Sequence, residues 1–377
     1  MKHTITICYF GTYDKNYTSN KMILKGLSEN DIRVVEVNAH IAVTNLTTEN
    51  EMTWVQILRR ILGKYRIFTE ITKNYKEFKK TNVIYVGYPG HVDVFLAFIL
   101  AKLYGKKLIF NPLLIVYNGF VYEQGILKEN SILAKTIKFT ESLVYRMCDI
   151  VFADTPFQKV HLEKDFSVPA KKLRVLPIGA DDKGYEFSPY ENTGKKISVV
   201  YYGLYSPIHG VEHIIECARL LRNDKNIIFT FIGQGNTYEK NKKRSDELKL
   251  PNVVFHYNVP VETHLPIMQK ADIFLGFLQK HPTVDRVIPN KVYQGLALGR
   301  VVLTADAPVT RSMFKHNENM YLVKPADPKA LKEAILELKN DPDLRSKIAK
   351  NGYQLYREKF NPKAVGKQLV NFIEEIV

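Results

Sequence analysis

Arg286 and Lys291 in the stretch RVIPNKVYQGLALGRVV (286–302) are the residues whose type and spacing best suit anion chemistry. The stretch reads as a short helix with Pro289 in its first turn, where a missing N–H costs nothing, and Gly299 in the left-handed position past its end. A helix start presents free N–H groups and the positive end of the peptide dipole, so cations beside it make a seat for a diphosphate. Lys291, Gln294 and Leu298 share one helical face, while Val292, Leu296 and Gly299 lie on another. One side can pack while the other, with Asn290 and Gln294 as polar contacts, reads a ligand.

Two glycine-bearing turns extend the pattern. In ISVVYYGLYSPIHGVEHII, Gly203 and Gly210 stand between a strand and a helix starting near Val211, with His209 at the helix entrance; FIGQGNTY repeats the arrangement with Gly233 and Gly235. Glycine lets backbone approach a phosphate, and His209 can hydrogen-bond to it or, when protonated, offset its charge. In the first half His91, in YPGHVD, is a candidate contact to acceptor or donor sugar. Gly11, Thr12, Asn111, Tyr117, Glu123 and Asp154 also follow strands, where open α/β sheets bind ligands.

The elements that must position these groups show as alternation. Short β-branched runs (TITICYF, IRVVEVN, NVIYVGY, KLIFNPL, DIVFADT, LRVLPIG, then ISVVYYG, IIFTFIG, VVFHY, DIFLGF, RVVLTA, MYLVKP) are separated by longer helical patterns. This predicts an α/β protein with two Rossmann-like domains built on parallel sheets, joined near 183–196. A length of 377 residues suits two domains, and the net charge of +15 favours an anionic partner: nucleic acid, acidic lipid or a phosphorylated small molecule. Cys8, Cys148 and Cys217 lack metal-ligand spacing, and Asp341-Pro342-Asp343 reads as a helix N-cap, so no metal site is expected. The same cysteine usage, with no signal-peptide h-region after Met1, predicts a reduced cytoplasmic setting. The longest apolar run, VFLAFILA, is far below the roughly 18–20 residues that span a bilayer. From Trp54 to Lys80 eight Lys or Arg residues accompany apolar residues at helical spacing, a pattern that suits either an anionic membrane surface or a core-facing helix with a solvated back.

The order YGxxxxxHG (Tyr202 to Gly210), FIGQG, DIFLGF and PNKxxxxLAxGRVV resembles the second half of retaining glycosyltransferases of family 4, which have the GT-B architecture. PIGAD (Pro177 to Asp181) resembles the passage before their interdomain linker, and the tail from Asp327 to Phe360 their closing helices. The resemblance implies two Rossmann-like domains facing a central cleft: residues 1–185 for the acceptor, residues 195–360 for a nucleotide-sugar donor, and a C-terminal helix (about 361–377) crossing back to the first. It further implies a hexosyltransferase that retains anomeric configuration without metal. The acceptor would be a glycan or a polyprenyl-linked glycan of the cell envelope, reached from the cytoplasm or the inner membrane face.

The departures from the family are specific. Leu204 and His209 stand where many members have Arg and Lys, Arg286 and Gln294 where many have Glu-x7-Glu, and Asn111 where many have His. Arg286 and Lys291 would supply the missing cationic groups, and the Gln294 amide carbonyl would take the ribose role of a Glu. A catalytically inactive relative and a basic nucleic-acid-binding protein are the alternatives; against the second, no RNA- or DNA-binding motif is present.

Overall fold

The computed structural model describes residues 5–39, 66–181, 185, 187 and 196–377. The chain divides into two compact units, Met1–Ile178 with Pro362–Val377, and Gly179–Asn361. In the first unit β1 (Thr6–Gly11), β2 (Arg33–Asn38), β3 (Val83–Val86), β4 (Lys107–Phe110), β5 (Ile150–Ala153) and β6 (Leu173–Val175) form a parallel sheet in the order β2-β1-β3-β4-β5-β6. In the second unit β7 (Ile197–Tyr202), β8 (Ile227–Gly233), β9 (Val253–Tyr257), β10 (Ile273–Leu275), β11 (Val301–Ala305) and β12 (Tyr321–Val323) form another, in the order β12-β11-β10-β7-β8-β9. Every strand read from the sequence is present. All are parallel, as expected where helices over the sheet faces return the chain between strands.

Helices α1 (Thr18–Ser28), α2 (Tyr75–Lys80), α3 (Asp93–Tyr104), α4 (Ile132–Met147) and α5 (Pro156–Asp165) belong to the first unit. The second contains α6 (Val211–Leu220), α7 (Tyr238–Glu247), α8 (Val261–Gln269), α9 (Asn290–Ala297), α10 (Pro308–Met313), α11 (Pro328–Asn340) and α12 (Pro342–Lys359), and α13 (Pro362–Glu374) returns to the first. Side chains alternate between the sheet faces: Ile84 and Val86 enter a core with Phe78, Val94 and Val144, while Val83 and Tyr85 enter one with Leu27, Leu369 and Ile373. The second core is closed by α13 lying on α1. A Cβ on Gly366 would fall 2.2 Å from the Gly26 carbonyl oxygen, so the two backbones meet where only glycine fits.

Local chemistry sets the helix starts. Thr155 caps α5 by accepting from Gln158 N at 3.0 Å, and Asp341 caps α12 by accepting from Leu344 N at 2.8 Å, as the Asp-Pro-Asp reading requires. Pro289 is corrected by one position. Its ψ of 150° keeps it outside α9 as the N-cap, and its carbonyl accepts from Val292 N at 2.9 Å, so Asn290 opens the helix. Of the basic stretch, residues 54–65 lie outside the described residues. Further along, Ile67, Ile71 and Phe78 join the core, while Arg66, Lys73, Lys76, Lys79 and Lys80 stay exposed.

Candidate functional site

In the second sheet the strand order reverses direction between β7 and β10, and ligands of open α/β sheets bind beyond the carboxyl ends of strands at such a point. Four predicted residues meet there. Gly203 follows β7 and Gly233 ends β8, with φ of 129° and 141°; a Cβ on Gly233 would sit 1.9 Å from the Gly203 oxygen, so these turns touch backbone to backbone. Lys291, in the first turn of α9, reaches back until its Cε lies 3.3 Å from where a Gly203 Cβ would be. His209 closes the short 3-10 turn Pro207–His209, and its Nδ1 is 3.5 Å from Lys291 Nζ. Gly210 has φ of 71° and caps α6; Gly235 packs on the Tyr205 backbone.

Tyr201 organises this cluster, and the sequence reading missed it. Its hydroxyl donates to Leu204 O at 2.6 Å and lies 2.7 Å from His209 Nδ1, while its ring supports the Lys291 ammonium at 4.0 Å. A phenol has one proton and a carbonyl only accepts, so His209 Nδ1–H donates to Tyr201 Oη and Nε2 keeps the lone pair. Burial, and then the neighbouring Lys291, hold the His209 pKa well below its ordinary value. Of the two roles open to His209, that direction favours the neutral, hydrogen-bonding ring over the protonated one. Lys291 is buried, no carboxylate among the described residues pairs with it, and burial drives its pKa well below the usual lysine range. An uncompensated buried cation destabilises a fold and is relieved by an anion.

The remaining donor-side candidates flank this centre. Asn290 Oδ1 is buried without a hydrogen-bond partner among the described residues. Gln294 Nε2 donates to Tyr185 Oη at 2.9 Å, which leaves the amide carbonyl as its accepting group. Arg286 lies in the loop before α9, half-buried, with its backbone N–H on Thr283 O at 3.0 Å.

In the first unit the candidates already have internal tasks. Thr12 directs both its N–H and its hydroxyl to Asp93 Oδ2, each at 2.8 Å, and a Cβ on Gly11 would fall 2.8 Å from that oxygen. Asn111 Oδ1 accepts from Leu113 N at 3.2 Å, and Tyr117 is buried edge-on against Phe166 beneath Lys138. Glu123 ends the π-helical turn Gly119–Glu123. His91 is held with Nδ1 2.6 Å from Pro89 O and Nε2 3.3 Å from Glu141 Oε1. Glu141 was not singled out in the sequence; buried, it accepts from Val116 N, Tyr117 N and Tyr145 Oη at 2.7–2.8 Å. Among the described residues no group of three His, Cys, Asp or Glu side chains is arranged to hold a metal ion.

Asp154, just after β5, is buried with neither carboxylate oxygen in a hydrogen bond of normal geometry. Burial raises its pKa from 3.8 to about 7, with the N–H groups of Asp154 and Thr155 only partly opposing. The folded chain therefore holds one more proton than the unfolded chain between those values, and stability falls as pH rises through the window. Asp154→Asn, fixed in the neutral form, should match the wild type near pH 4 and exceed it at pH 8 by up to about 4 kcal/mol in urea unfolding. Equal midpoint differences at both pH values would refute this.

Two six-stranded parallel sheets covered by helices, with the loops after β7 and β8 and the start of α9 gathered around a buried lysine, define the GT-B glycosyltransferase fold. Residues 183–355 match the family described as Glycosyl transferases group 1. The chain is 22% identical over 361 residues to an uncharacterized glycosyltransferase of Methanocaldococcus jannaschii, covering 93% of this chain and 86% of that protein. Sucrose-phosphate synthase of Thermosynechococcus elongatus superposes with a TM-score of 0.73 at 14% identity, over 99% of each chain. Anabaena HepE in complex with UDP-glucose gives 0.66 at 14% identity, also over 99% of each. Most of the second unit is thus similar to group 1 glycosyltransferases, and the chain has the GT-B fold.

Proposed function

We propose that the protein transfers a hexose from a nucleoside-diphosphate sugar to a glycan or polyprenyl-linked acceptor, with retention of anomeric configuration and without a metal ion. The observation that carries this reading is Lys291: a buried lysine with no carboxylate partner among the described residues, at the glycine-lined end of β7, suits a diphosphate, which would hold it in the charged form. The leaving diphosphate gathers charge as the glycosidic bond breaks, so Lys291, with Arg286, carries the main catalytic stabilisation, and Gly203, Gly210, Gly233 and Gly235 admit the phosphates. Neutral His209 fixes Tyr201 and hence Lys291 through the hydrogen bond to Oη. Gln294 and Asn290 present amide oxygens to ribose hydroxyls. UDP-glucose in the complex of HepE supports a nucleotide-sugar donor here. The acceptor belongs on the first unit, near His91 and Asp154, at the inner face of the membrane or in the cytoplasm.

Calorimetric titration tests the donor assignment. Nucleoside diphosphates should bind to wild type and at least tenfold more weakly to Lys291→Met, while oligonucleotides should bind no better than phosphate-matched polyanions. Preference for oligonucleotides would overturn the reading. Labelled nucleotide sugars would then identify the donor.

A further inference from the structure

We infer that helices α3 and α4 of the first unit form a docking face for an anionic lipid bilayer. A helix that covers a parallel sheet ordinarily turns polar residues to water. Here α4 exposes Ile132 (86%), Phe139 (71%) and Leu143 (42%), at i, i+7 and i+11 on one side. Thr136 and Thr140 fall beside that stripe, and their hydroxyls are satisfied within the helix, donating to Ile132 O at 2.9 Å and Thr136 O at 2.8 Å. The adjoining α3 adds Ile99 and Leu103, the latter 73% exposed, and the two helices touch. Apolar exposure of this density on two touching helices points to an interaction surface rather than scattered exposure.

Charge selects the occupant. The only acids of the two helices, Asp93 and Glu141, are buried and turned inward onto Thr12 and onto the Val116–Tyr117 amides. The cations Lys102, Lys135 and Arg146 are exposed. An apolar stripe bordered by cations and free of outward carboxylates matches an acidic headgroup layer with its acyl boundary. A second copy of the same face would set like charges against each other. Among the described residues no helix is long and apolar enough to cross a membrane, so the contact is interfacial. The basic stretch ending at Lys80 adjoins the face through Tyr75 and Phe78, whose rings meet Tyr104 of α3; its Ile67, Ile71 and Phe78 are packed in the core, while Phe68 is exposed.

The test is co-sedimentation with vesicles of phosphatidylcholine containing phosphatidylglycerol, against phosphatidylcholine alone. Wild type should partition onto the anionic vesicles, and the triple variant Ile132→Ser, Phe139→Ser, Leu143→Ser should lose at least about tenfold in partition coefficient. Its melting temperature should stay close to the wild-type value, because all three side chains are exposed. Lys135→Glu should weaken binding to the anionic vesicles alone. A parallel variant, Lys73→Gln, Lys76→Gln, Lys80→Gln, should retain most of the binding. Failure of wild type to bind, equal binding by the triple variant, or loss confined to the Lys73–Lys80 variant would each overturn the inference. So would a lipid-free dimer that the triple variant converts to monomer.

Discussion

Replacing Lys291 by Met should lower kcat/KM for sugar transfer by roughly 10² or more while leaving the fold at least as stable. Methionine nearly matches the lysine stem in volume and packs on the rings of Tyr201 and Phe277, so the lost feature is the charge. The stability arm has a definite sign. Because burial lowers the Lys291 pKa, the unfolded chain binds more protons than the folded one below the ordinary value of 10.5, and this destabilises the fold. The advantage of Lys291→Met should therefore be present at neutral pH and shrink as pH rises toward 10.5, where the unfolded lysine also loses its proton. A diphosphate should restore the charge, so binding to wild type should take up a proton and the calorimetric heat should depend on the buffer; in the Met variant that dependence should vanish. Near-normal turnover by Lys291→Met would sink the assignment.

Gly233→Ala should be the most damaging single methyl in the second unit. Its φ of 141° lies where L side chains rarely go, and the new Cβ would stand 1.9 Å from the carbonyl oxygen of Gly203. Neither atom is the end of a flexible side chain, so relief requires separating the loops after β7 and β8, which are held by Gly203 N on Ile232 O at 3.0 Å and Tyr205 N on Gln234 O at 2.8 Å. We expect a loss of roughly 3 kcal/mol or more in urea unfolding and of nucleotide affinity together. Unchanged stability would mean that the two turns are not coupled as described.

The strands and the glycine turns were legible because their signals are local. A run such as IVFA or VVLTA is buried on both faces in any parallel sheet, and glycine after a strand marks a backbone excursion or close approach whatever lies nearby. Lys291 and His209 were legible by type, but the lowered pKa of His209 was not: it follows from burial beside Lys291, 82 positions away in sequence. Tyr201 escaped notice since a tyrosine in a strand reads as core, and only tertiary packing sets its hydroxyl between Leu204 and His209. Glu141 escaped for the opposite reason: in ILAKTIKFTESLVYRM it resembles an ordinary surface acid, and its three donors come from the Val116–Tyr117 turn and from Tyr145.

The glycine crossing of α1 and α13 bears on the order in which the protein is made. Leu369 and Ile373 complete a core whose members from Tyr9, Met22 and Leu27 to Phe152 and Leu176 are synthesised ahead of Gly179–Asn361. The ribosome must therefore deliver all of Gly179–Asn361 before the first unit can close that core. The second unit, continuous in sequence, can mature first, while the part of the first unit that precedes it waits with an apolar face uncovered, reversing the usual amino-to-carboxyl order of domain folding. Chaperone demand should accordingly fall on the first unit, and release should coincide with the arrival of α13.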